Sequence, residues 1–102
     1  MYYDKRFEPQ VETKPDPVAD VLLAAADYIE QHGWCQFYTR DDQGAVCGFG
    51  AIFNCSNPPI GGHTLLAVDR MQRRLGMSIS AWNDMPGRTK DEVVAALRAA
   101  SR

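Results

Sequence analysis

The chain has 102 residues, 45% of them apolar and 24% charged, with a formal charge of -2. That is one domain with a modest core, and its charge gives no general attraction to nucleic acid or an anionic membrane. No stretch approaches the roughly 18 consecutive apolar residues of a membrane span. The opening Met1–Arg6 lacks the apolar segment of a secretory signal, and three cysteines are an odd number for a disulfide framework. These features point to free thiols in a cytoplasmic protein.

Residues 1–16 are polar and broken by Pro9 and Pro15, which reads as an arm preceding a helical domain over 17–102. Tyr2, Tyr3, Phe7 and Val11 are its anchors, on this body or on a second copy, so a homodimer held through the arm is one expectation. The first helix follows. Asp16 caps it, Pro17 occupies its first position, and Gly33 ends it. Val18, Val21, Leu22, Ala25, Tyr28, Ile29 and His32 share the inner face. Asp16, Asp20, Asp27 and Glu30 fall on the opposite side around Leu23. This stripe is a solvated surface or a docking face for a basic protein partner.

Trp34 is expected to bury against the end of this helix. Gln36–Thr39 has the residue types of a short strand, and Asp41-Asp42-Gln43-Gly44 those of a turn. The stretch from Gly44 to Phe53 carries no charge. Read as a helix, it places Cys47, Gly50, Ala51 and Asn54 on a small-residue face and Val46, Phe49, Ile52 and Phe53 on a bulky one. A strand is the alternative, because Gly48 and Gly50 each cost a helix on the order of 1 kcal/mol. The clean sorting by size favours helix.

Asn54–His63, with Pro58-Pro59 and Gly61-Gly62, reads as a loop without the lysine or spacing of a phosphate-binding loop. A third helix is expected from Thr64 to Leu75, stopped by Gly76, with Leu65, Val68, Met71 and Leu75 inward. Arg70, Arg73 and Arg74 form its outer face. They are a further candidate partner surface, although no aromatic residue interleaves with them and nucleic acid is not expected. The alternation over Ser78–Ala81 predicts a second short strand. Trp82 is then expected to be buried and to anchor a turn through Asn83 and Asp84. Thr89 and Glu92 form a capping box, so the last helix starts at Lys90 and buries Val93, Val94, Ala96, Leu97 and Ala100.

A long alanine-rich helix ending in Gly33-Trp34, then Gly44, Cys47 and Gly50-Ala51, then Trp82-Asn83-Asp84, Thr89, Val93 and Leu97 resembles one small family of uncharacterised proteins, a domain of unknown function in actinobacteria and their phages. The resemblance spans Val18 to Ala100 and is carried most specifically by Trp82-Asn83-Asp84. It implies no activity and no catalytic residue. What it implies is a context, a phage protein acting on host machinery or a small bacterial accessory protein.

Chemistry finds little support in the residue types. Cys35, Cys47, Cys55 and His63 are separated by twelve, eight and eight positions, not by the close pairs of a structural zinc site. Cys47 with His32 or His63 matches no nucleophile signature. No metal, cofactor or catalytic residue is therefore assigned. A pocket, if one forms, is expected among Trp34, Trp82, Asn83, Asp84 and Arg88. The reading is a mainly α single domain of four helices, with room for two short strands. Its function is expected to be a non-enzymatic protein-interaction module, with small-molecule or nucleotide binding at the Trp82-Asn83-Asp84 loop as the alternative.

Overall fold

The computed structural model describes residues 15–56 and 61–102. The expected arm falls almost wholly outside these, and so does Pro58-Pro59. Five helices follow one another: α1 (Pro17–His32), α2 (Gly48–Cys55), α3 (Gly62–Leu75), α4 (Ile79–Asn83) and α5 (Lys90–Ala100). The protein is mainly helical, as its apolar periodicity predicts.

α1 is the central element and packs against α2, α5 and α3. Its start is local chemistry: the Asp16 carboxylate accepts the Ala19 N–H at 3.0 Å, and Pro17 fills the position where an N–H would have no partner. Val18, Val21, Leu22, Ala25 and Ile29 are buried as the periodicity requires, joined by Ala19 and Ala26. His32 instead lies exposed with its ring 4.2 Å from that of Tyr28. Leu97, Val93, Ile52, Met71 and Ile79 close the core around this helix. α5 begins with the capping box, Glu92 N–H to Thr89 Oγ1 at 3.2 Å and Thr89 N–H to Glu92 Oε1 at 2.9 Å.

Three elements differ from expectation. The uncharged stretch is helical only from Gly48. Gly44 to Val46 run as a link, and Cys47 caps the helix by accepting the Gly50 N–H on its Sγ at 3.2 Å. The close approach expected of its small residues is made by Gly50. A Cβ there would strike the Thr39 carbonyl oxygen. α3 starts at Gly62, and its buried side is Thr64, Ala67 and Met71 with Val68 and Leu75 half-buried. Leu65 was expected inward and is 64% exposed, because the small Thr64 and Ala67 take the side facing the core.

Neither short strand forms. Ser78–Ala81 is the cap and first turn of α4: Ser78 Oγ accepts the Ala81 N–H, and Gln72 Oε1 accepts the Ile79 N–H. Its alternation reflects one buried residue, Ile79, on a helix too short to show a period. Gln36–Thr39 is a series of bends. Among the described residues the only β pairing is two isolated bridges, Val46 with Trp34 and Val46 with Arg40. They close Gly33–Cys47 into a compact loop whose ends meet, an Ω-type connection.

Candidate functional site

The loop between α1 and α2 is held on one side by the Trp82-Asn83-Asp84 segment, which ends α4. Asn83 is 0% exposed, a polar residue at the centre of the clasp. Its Oδ1 accepts from Trp34 Nε1 at 2.7 Å and from the Gly48 N–H at 2.9 Å. Its Nδ2 donates to the Cys35 carbonyl at 3.1 Å and to Asp84 Oδ1 at 3.0 Å. An amide has two acceptor sites and two donor hydrogens, and all four are used. Gln36 Nε2 adds bonds to the Asn83 and Met85 carbonyls, each 3.1 Å.

The structure thus brings Trp34, Asn83 and Asp84 together, but as a filled hydrogen-bond hub; of the three, Asp84 alone also borders a cleft, one that faces Tyr38. Trp82 is only half-buried. The Arg88 guanidinium lies 3.9 Å from its ring centroid, while Arg88 Nε donates to the Trp82 carbonyl. The residue fully removed from water is therefore Asn83, because three of its four partners, Trp34, Cys35 and Gly48, come from elements packed over it, while the indole lies against the half-buried Arg88.

On the outer side of the same loop the chain is strained. Phe37 has φ +73°, a left-handed conformation that costs a bulky residue on the order of 1–3 kcal/mol. Its N–H is held by Asp84 Oδ1 at 2.9 Å, and the Cys35 thiol donates to the Tyr38 carbonyl at 3.3 Å. The side chains this backbone presents are almost free of the protein: Phe37 is 71% and Tyr38 68% exposed. Met85 is exposed beside them. Sequence reasoning passes over the pair, because its β-type residues read as a short strand. The available signal was two adjacent aromatic residues in a short segment bounded by Cys35 and Asp41-Asp42.

Two small clefts flank Tyr38. One, about 110 Å³, reaches Phe37, Thr39, Cys47, Ser80 and Asp84; the other, about 280 Å³, reaches Arg40, Asp41 and Asp42. Both fall below the roughly 300–1,000 Å³ of a typical small-molecule site.

The charged stripes expected as docking faces are largely spent within the chain. Asp27 and Glu30 pair with Arg98, Glu30 also with Lys90, and Asp16 with Arg70. Arg73 pairs with Asp69 one turn earlier. Asp20, Leu23 and Arg74 remain exposed. The Ala19 N–H, and after it Arg70, hold the Asp16 carboxyl below the usual range.

The thiols of Cys35, Cys47 and Cys55 are free, and burial pushes each one up, away from the thiolate. His63 stands exposed in the first turn of α3. Among the described residues no three His, Cys, Asp or Glu side chains gather as a metal site, and no helix is long and apolar enough to cross a membrane.

No curated protein and no solved structure matches the chain. A family model does, over residues 13–102, which takes in α1 to α5 and both sides of the clasp; the chain belongs to this family of unknown function, DUF6197.

Proposed function

We propose that the protein is a non-enzymatic protein-interaction module whose contact surface is the loop tip at Phe37 and Tyr38, with Met85 beside it. The observation that carries this reading is the left-handed Phe37. Its strained backbone is braced by Asp84, yet the side chain it presents buries little in its own fold. Strain of this kind is retained where surrounding structure imposes it, and it clusters at functional sites. Phenylalanine, tyrosine and methionine are also the residue types enriched where proteins meet.

The setting we propose is cytoplasmic, in actinobacteria or their phages, with a host protein as the partner. This rests on the resemblance carried by Trp82-Asn83-Asp84. A homodimer through the N-terminal arm is a companion proposal, tested by sedimentation of a chain lacking residues 1–13. Small-molecule or nucleotide binding at Trp82-Asn83-Asp84 has less behind it, since Asn83 has no hydrogen-bonding capacity left for a ligand.

The experiment is affinity capture from a lysate of the source cells, with wild type and the Phe37→Ala/Tyr38→Ala variant as baits. Retention of a defined protein by wild type, lost in a variant of unchanged helix content, is the expected result. Equal retention by both baits, or none by either, defeats the reading. A nucleotide or metabolite that raised the melting temperature by mass action would favour the small-molecule alternative.

A further inference from the structure

The contact surface at Phe37 and Tyr38 is bordered by carboxylates that lack a cation. Five of the described acids, Asp16, Asp27, Glu30, Asp69 and Glu92, have an arginine or lysine within 4.0 Å, while Asp20 and Asp91 stand singly on helix surfaces. Around Tyr38 three such acids gather. Asp84 spends Oδ1 on the Phe37 N–H and the Asn83 amide, and Asp41 spends Oδ1 on the Gln43 and Ala45 N–H groups, each 2.9 Å. Asp42 is exposed. None of these three forms an ion pair among the described residues.

Arg40 shares their cleft but does not serve them. Its guanidinium donates to Tyr28 Oη at 3.2 Å and to Asn54 Oδ1 at 3.0 Å, two uncharged groups of α1 and α2. Tyr38 is the wall common to both clefts, with Asp84 in one and Asp41 and Asp42 in the other. An aromatic face between two carboxylate-bearing recesses suits lysine or arginine side chains. Each gains the opposite charge, and the ring face adds its own attraction for a cation.

We propose that this surface takes a basic segment of the partner protein, with cationic side chains entering the clefts on either side of Tyr38 and apolar neighbours resting on Phe37 and Met85. The proposal rests on the interaction-module reading and gives the partner's chemistry. A second copy is a poor occupant, because a two-fold axis would bring the same carboxylates face to face. Nucleic acid is a poorer one, since its phosphates carry the same sign of charge.

The test is selection of a random-sequence displayed peptide library on the full-length protein. Anisotropy titrations of the enriched peptides follow, against wild type, Asp42→Lys and Phe37→Ala/Tyr38→Ala, at low and raised salt. The expected peptides carry lysine or arginine beside apolar residues. Their affinity should fall roughly tenfold or more in Asp42→Lys and weaken with salt, while circular dichroism of the variant is unchanged. Peptides that are neutral or acidic, or that bind Asp42→Lys as well as wild type, overturn the basic partner and leave the interaction surface standing. Failure to enrich any peptide, or equal binding to Phe37→Ala/Tyr38→Ala, overturns the surface itself. Self-association abolished by Tyr38→Ala would assign the face to a second copy instead.

Discussion

At Asn83 every hydrogen-bonding capacity is satisfied inside the protein, whereas at Phe37, joined to it through the Asp84 carboxylate, a bulky side chain is held in an unfavourable backbone conformation and turned toward water. One side of the clasp lowers the free energy of the fold, and the other raises it. The difference teaches where each half should be sought. The first is a buried structural device, and the second is a strained, exposed surface, which is where the proposed contact is to be tested. The Trp82-Asn83-Asp84 segment reaches the aromatic pair only indirectly, through the Asp84 carboxylate that accepts the Phe37 N–H.

The largest effect should come from removing the hub. Asn83→Ala leaves the buried Gly48 N–H and the half-buried Trp34 Nε1–H and Cys35 carbonyl without their partner. At roughly 1–3 kcal/mol for each stranded buried group, a loss of about 3–5 kcal/mol is expected in urea denaturation. Trp82→Ala should cost less, about 1–2 kcal/mol, because the half-buried indole forfeits limited area and one cation–π contact with the half-buried Arg88. If the tryptophan variant proved the more damaging, the indole and not the amide would be the fastener.

How far this division was legible in the sequence depends on how local each cause is. The termini of α1 and α5 could be read, since Asp16, Pro17, Thr89 and Glu92 act within one turn of themselves. The loop could not. The bend at Phe37 is fixed by Asp84, and the start of α2 by Asn83 and the Cys47 sulfur, so its conformation depends on residues far along the chain. Tryptophan is the usual candidate for an anchor, and nothing near Asn83 in sequence announces three partners drawn from far along the chain. The charged stripe on α1 was visible, but its arginine and lysine partners lie on α5 and only folding brings them together.

Next in size is Gly50→Ala, which tests whether the loop is pressed on α2 as tightly as the hub implies. The new methyl group meets the backbone carbonyl of Thr39, which cannot rotate away as a side chain could. Overpacking of this kind costs about 1–3 kcal/mol, and here the loop tip should shift with it. Binding loss out of proportion to stability loss would show that the tip must be held in one place. Unchanged stability would show that the loop rides loosely on the helix.

Phe37→Gly separates the two sides of the clasp most directly. Glycine adopts a positive φ without steric cost, and Phe37 contributes little burial to offset its strain. The variant should therefore be more stable than wild type by about 1 kcal/mol, a rise of roughly 4–8 °C in melting temperature for a domain of this size. It should also lose partner capture. Greater stability with lost binding is the signature of a residue kept for contact. A drop in melting temperature would make Phe37 a structural residue.

The smallest effect is the response to acid, and it asks whether the hub depends on charge. Asp16 is held below the usual carboxylate range chiefly by the Ala19 N–H and then by Arg70; Glu92 chiefly by the Thr89 N–H, with Arg88 adding to it. A carboxyl with a lower value in the folded state binds protons more readily when unfolded. Its contribution is therefore present above the ordinary value, near 4, and is lost as the pH falls through the folded one. Both groups sit at exposed helix starts, so acid below about pH 4 should loosen the first turns of α1 and α5 with only a modest loss of stability. Asn83 is an amide and does not titrate in this range, so the Trp34 environment should survive that loosening. Tryptophan fluorescence and helix content followed from neutral pH downward will decide it. If the fluorescence changes first, the clasp does not outlast the helix starts, and its amide hub is not an independent fastener.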